Sequence, residues 1–124
     1  MIDAHFLQRF AADWIAAWNR HDLAAILAHY ADDFEMRSPL IAPITGDTSG
    51  VLRGKASVGA YWAAALQRMP DLKFTLIDTF VGVDSLIIHY RGARGPAAEV
   101  FELGSDGKVV RAAAHYATQA EVRA

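Results

Sequence analysis

The chain has 124 residues, 53% of them hydrophobic and 21% charged, with 12 basic and 14 acidic side chains mixed along its length. This is material for one domain, residues 1–124, with one core and no basic block to follow phosphates, so nucleic acid is not an expected partner. The absence of cysteine excludes disulfides and thiolate chemistry, the start MIDAHFLQRF has an acid where a secretion signal wants positive charge, and no apolar run suits a bilayer. A soluble, cytoplasmic protein is expected.

From residue 6 to residue 18 the large apolar side chains fall four apart, at Phe6, Phe10, Trp14 and Trp18, with Leu7 and Ile15 widening the stripe. That spacing predicts a helix with an aromatic face laid against a sheet. Residues 19–21 are poor helix interior. Asp22 can cap a second helix whose buried side is Leu23, Ile26, Leu27 and Tyr30. YADDFEMRSPL then crowds Asp32, Asp33 and Glu35 near Arg37. Short acids at a helix-to-strand corner favour turns, and a strand over residues 34–38 sends Phe34, Met36 and Ser38 inward and Glu35 and Arg37 outward, so these acids read as structural.

Residues 39–54 show no evident regular structure and are long enough for either a pocket rim or a packed surface loop. A third helix is predicted over about residues 55–69, where Val58, Tyr61 or Trp62, Leu66 and Met69 recur before Pro70. The second half changes period. LKFTLIDTFVG, SLIIHYRG, AAEVFELG and KVVRAAAHYATQ are strand-like, and GVD, GARGP and GSDG between them are turn chemistry. Helices followed by an antiparallel meander predict an α+β fold with three helices covering one face of the sheet.

WIAAWNRHDLAAILAHYADDFEMRSP, GKASVGAYW and AAEVFELGSDGKVVRAAAHY together resemble the nuclear transport factor 2-like superfamily, in its SnoaL-like and ketosteroid isomerase-like branch. The resemblance covers nearly the whole chain. It implies a cone-shaped barrel of strongly curved, mixed sheet around the long first helix, an apolar pocket between them, and a homodimer through the outer sheet face. It says less about activity, because isomerases, dehydratases, cyclases, epoxide hydrolases and plain binding modules share the fold.

Carried over position by position, the isomerase resemblance fails at two of three places. A carboxylate base is wanted on the strand before the proline, where Ser38 stands, and a hydroxyl with no neighbouring base cannot serve. The phenol expected on the first helix is replaced by Trp14, an indole that donates a hydrogen bond but gives up no proton. Glu99 keeps the acid of the third position. It alternates with Ala97, Phe101 and Leu103, so on a core-facing strand it is a carboxyl among apolar groups, with a raised pKa and an acid-base role; a structural acid satisfied by Arg91 or a backbone N–H is the alternative.

His5, His21 and His29 lie near helix ends, while His89 and His115 sit in strands on the parity opposite the apolar one. They make no metal-ligand pattern, and nucleotide loops, G-x-S-x-G and HExxH are absent, so no cofactor or metal is expected. On the last strand the resemblance turns Ala112, Ala114 and Tyr116 toward the pocket. The expected wall is Trp14, Trp18, Met36, Tyr61, Phe101 and Tyr116, with Ser38 and Glu99 as polar handles. A small apolar or aromatic molecule is the expected partner, turned over by an isomerase, dehydratase or cyclase acting through Glu99. The alternative is a non-catalytic ligand-binding or dimerisation module.

Overall fold

A computed structural model describes residues 2–118. Asp3 opens the first helix by accepting the Phe6 backbone N–H at 2.7 Å, and α1 runs Ala4–Asn19. Its buried side is Leu7, Phe10, Ala11, Trp14, Ala17 and Trp18, while Phe6 and Ile15 of the expected stripe are only partly buried at its edges. Each large side chain so buried contributes about 1.5–3 kcal/mol. The helix stops where His21 takes a left-handed φ of 56°, and Asp22 caps α2 (Leu23–Leu27) by accepting from the Ala25 N–H at 3.1 Å.

That corner also holds a distant segment. Asn19 exchanges two hydrogen bonds with the backbone of Phe74, accepting its N–H at 2.7 Å and donating to its carbonyl at 3.0 Å. The His21 Nε2 lies 2.9 Å from the Leu72 carbonyl oxygen. Phe74 is thereby held against Trp14 and Trp18, with ring centroids 5.6 and 5.5 Å away.

The chain continues through β1 (Tyr30–Arg37), α3 (Ile41–Thr45), β2 (Val51–Arg53) and α4 (Gly54–Arg68) to β3 (Thr75–Val81), β4 (Ser85–Gly92), β5 (Gly95–Leu103) and β6 (Val109–Tyr116). The strands form one sheet in the order β2-β1-β6-β5-β4-β3, antiparallel except for the β1–β6 pair. One face carries the core. Leu86, Ile88 and Tyr90 of β4 and Ala97, Glu99 and Phe101 of β5 are buried there, and Phe10 and Trp14 of α1 meet Phe101 edge-on at 5.2 and 5.4 Å.

Several sequence expectations are corrected. The α+β class holds, but the sheet is an open one with β2 and β3 as its edges, not a closed barrel. Among the described residues four helices replace the expected three. The fourth, α3, comes from residues 39–54, where Ser38 Oγ accepts the Leu40 N–H at 3.1 Å and Gly46, at φ 84°, closes the turn. The edge strand β2 lies in the same stretch and pairs antiparallel with β1. The first strand starts at Tyr30 rather than Phe34, so Tyr30 is a buried strand residue and Asp32 and Asp33 lie inside β1. Parallel pairing with β6 accounts for the longer strand, since the Val109 N–H reaches back to the His29 carbonyl at 3.0 Å.

Glu35 departs differently. It lies off the core face yet is only 4% exposed, because Arg37 Nε and Arg53 Nη2 each close on its carboxylate at 2.6 Å. Its pKa is lowered, chiefly by the Arg37 hydrogen bond, against desolvation and with the charges of Arg53 and Arg111 adding to it.

Candidate functional site

Between α1, α4 and the core face of the sheet lies a cavity of about 70 Å³. Trp14 and Trp18 reach it from α1, Tyr61 from α4, Met36 from β1, Tyr90 from β4 and Glu99 from β5. Tyr116 closes it from β6. The side chains of α3 reach it through Ile44, and the β4–β5 turn through Ala93 and Arg94.

Glu99 is 4% exposed and faces Leu86, Ile88 and Phe101 neighbours on the apolar face. The Tyr90 hydroxyl donates to its Oε1 at a long 3.4 Å. Burial raises the carboxyl pKa from 4.5 to about 7, and the Tyr90 hydrogen bond opposes that rise. A carboxyl poised there exchanges a proton in either direction near neutrality. Arg91, the partner offered by the sequence, lies on the other face of β4; Tyr90 takes its place.

Four phenols surround this carboxyl. Tyr30, Tyr61, Tyr90 and Tyr116 all have their pKa raised first by burial, and the charge of Glu99 adds to the rise in each. They therefore remain protonated donors. Tyr30 is already engaged, accepting the Trp14 indole N–H at 3.0 Å, and Tyr61 donates to Ser38 Oγ at 3.3 Å.

Residues 11–117 match the SnoaL-like domain. The chain belongs to the SnoaL-like family. A SnoaL-like protein of unknown function from Burkholderia thailandensis is 59% identical, the match covering 94% of this chain and 98% of that one at a TM-score of 0.90. A protein of unknown function with a cystatin-like fold from Methylobium petroleophilum is 17% identical, over 94% of this chain and 79% of that one, with a TM-score of 0.74. TerC, co-crystallised with polyporic acid, is 16% identical over 95% of this chain and 96% of that one, with a TM-score of 0.75. These last two share the fold. No curated protein matches the sequence.

Within this SnoaL-like chain, six of the eight residues picked from sequence line the cavity: Trp14, Trp18, Met36, Tyr61, Glu99 and Tyr116. Phe101 and Ser38 do not. Phe101 is fully buried behind Trp14 and fills core, and Ser38 spends its hydroxyl on Tyr61 and on the turn into α3. Trp18 presents its ring to the cavity, while its buried indole N–H has no hydrogen-bond acceptor among the described residues and its ring meets Trp62 edge-on at 5.3 Å.

Tyr90 is the polar neighbour of Glu99 missed from sequence. Its position on the apolar parity of β4 was the available signal, since a buried tyrosine needs a partner for its hydroxyl. His89 and His115 stay out of the cavity: His89 Nδ1 pairs with Asp78 Oδ1 at 2.9 Å on the outer face, and His115 is exposed. Among the described residues no cluster of three His, Asp or Glu is arranged to hold a metal, and no helix is long and apolar enough to cross a membrane.

Proposed function

We propose that this SnoaL-like protein binds a small apolar or aromatic molecule in the cavity and that Glu99 is the acid-base group of a cofactor-independent isomerase, dehydratase or cyclase reaction. One observation carries the reading: a wholly buried carboxyl, lifted to about 7, in the wall of an otherwise apolar cavity. In the ionised state it can take a proton from the substrate, and in the protonated state it can return one. The Tyr90 hydroxyl beside it is a donor for a substrate oxygen that gains charge. TerC's co-crystallisation with polyporic acid is in keeping with a small-molecule site in this fold. The ketosteroid isomerase arrangement is not proposed, because Ser38 is no base and Trp14 is no phenol.

A specific observation favours a second reading, a non-catalytic binding module. Apart from Glu99, no described cavity side chain changes charge near neutrality, so any reaction rests on one group working with neutral donors. A carbon-13 NMR titration of the Glu99 carboxyl tests the first reading: a pKa near 7 is expected, and an ordinary solvated value removes its basis. Glu99→Gln then separates the two, since a catalyst keeps its ligand and loses turnover.

We also propose that two copies associate through the outer sheet face. Phe80, Ile87, Val100 and Ala113 face one another in a row across four strands, between the polar row of Asp78, His89 and His115 and the charged row of Glu102, Arg111 and Glu35. An apolar strip with ionic margins suits a self-complementary contact.

A further inference from the structure

Among the described residues two charged side chains line the cavity, one buried and one exposed. Glu99 is the buried one, and Arg94 is the exposed one, on the two-residue turn between the paired Gly92 and Gly95. Every other described lining residue is apolar, aromatic or glycine. Arg94 makes no hydrogen bond or ion pair with the described residues, unlike Arg37, Arg53 and Arg111, whose guanidinium groups are held by Glu35 and Glu102. Its field nevertheless reaches inside, where it pulls against the raised pKa of Tyr116, a cavity-wall phenol.

The turn is well placed to present a cation. Gly95 takes a φ of 92°, which lets the chain reverse in two residues, and a Cβ on Gly92 would come within 3.3 Å of the Phe74 ring, so the turn packs directly on the cavity wall. Four residues of extended strand separate Gly95 from Glu99, roughly 13 Å. A ligand filling the cavity therefore meets a guanidinium at its outer end and a carboxyl at its inner end.

Resting on the small-molecule reading above, we infer that the ligand is an apolar carboxylic acid whose carboxylate pairs with Arg94 while its hydrocarbon body lies inward among Trp18, Tyr61 and Met69. The guanidinium fork matches a carboxylate in two parallel hydrogen bonds, a geometry that a neutral head group cannot reproduce. Orientation follows from the other end. A second carboxylate beside Glu99 would place two acids in one desolvated space, so the anion belongs at the mouth.

The test uses the full chain, 3-phenylpropanoate as the acid probe and 3-phenylpropanamide as its neutral counterpart, with affinities from calorimetry at neutral pH and low salt. The acid is expected to bind about fivefold more tightly than the amide, the upper size of effect for a charge-assisted pair at an exposed residue. Arg94→Gln is expected to abolish that preference by weakening the acid far more than the amide, and Arg94→Lys to retain part of it as a point charge. Equal binding of both probes to the wild type would overturn the inference and leave the pocket reading standing, as would a preference that survives in Arg94→Gln. If neither probe binds, both fall. Because Arg94 sits on an exposed turn, its variants should fold, and an unchanged circular dichroism spectrum and melting temperature report that they have.

Discussion

Tyr90 and Glu99 sit diagonally on adjacent strands, Tyr90 opposite Ala97 and Glu99 opposite Ile88, so the phenol leans across the ladder to bring its oxygen 3.4 Å from Oε1. The bond is long, and burial outweighs it in setting the Glu99 pKa. Removing it has a definite sign. Tyr90→Phe takes away a donor that favours the ionised carboxylate, so the Glu99 pKa should climb above its wild-type value of about 7. The same carbon-13 titration measures it, and a fall would mean that the phenol acts on the protonated form.

The raised pKa also ties folding to pH. In the unfolded chain the Glu99 carboxyl titrates near 4.5, and in the folded protein at about 7, so folding takes up a proton between those values. This contribution is fully present below about 4.5 and is lost as the pH rises through 7. At about 1.4 kcal/mol for each tenfold difference in proton affinity between the folded and unfolded chain, it amounts to on the order of 3 kcal/mol. Urea unfolding at pH 5 and pH 8 should show the wild type losing stability relative to Glu99→Gln, in which other groups titrate alike. A pH-independent difference between the two proteins would contradict the burial of this acid.

Trp14 is bonded and packed at once. Its indole N–H donates to Tyr30 at 3.0 Å, and its ring touches Trp18, Phe74, Tyr90 and Phe101. Trp14→Phe should cost about 1–3 kcal/mol, because the buried Tyr30 hydroxyl loses its donor. Trp14→Ala should cost about 3–5 kcal/mol while enlarging the cavity floor. Chemical denaturation orders the two variants, and equal losses would show that the hydrogen bond adds nothing to the packing.

On the outer face, Ile87 lies between Phe80 and Val100 in the apolar row. A charge at that position has water available in a monomer but is stranded in a face-to-face dimer. Ile87→Asp is therefore expected to reduce the sedimentation mass from twice the chain mass to one, with circular dichroism unchanged. A wild type that sediments as a monomer at all concentrations would end the dimer proposal.

Local pattern carries much of this molecule. The four-residue aromatic spacing is enough to place Trp14 and Trp18 on the buried side of α1, and strand alternation is enough to put Glu99 with Ala97 and Phe101. Alternation also separates His89 from the core side of β4. Residues 39–54 resist such reading because α3 is five residues long and β2 three, too short for either period to repeat; α3 starts on a local bond to Ser38, and β2 exists only through its pairing with β1. Glu35 shows the same limit. Its alternation turns it outward, but Arg53 arrives from a strand that only pairing with β1 creates, and together with Arg37 it shuts out water.

By itself, then, the order of residues determined which side chains share a helix face or a strand face, because those periods are properties of the backbone alone. What tertiary structure decided is which of those faces meet: that Tyr90 rather than Arg91 attends Glu99, that Phe101 and Ser38 become core instead of cavity wall, and that Arg94 comes to a mouth whose other end is an acid. Such pairings depend on how the sheet's strands align and where α1 and α4 lie across it, and the free energy that selects them is spread over contacts far apart in the chain.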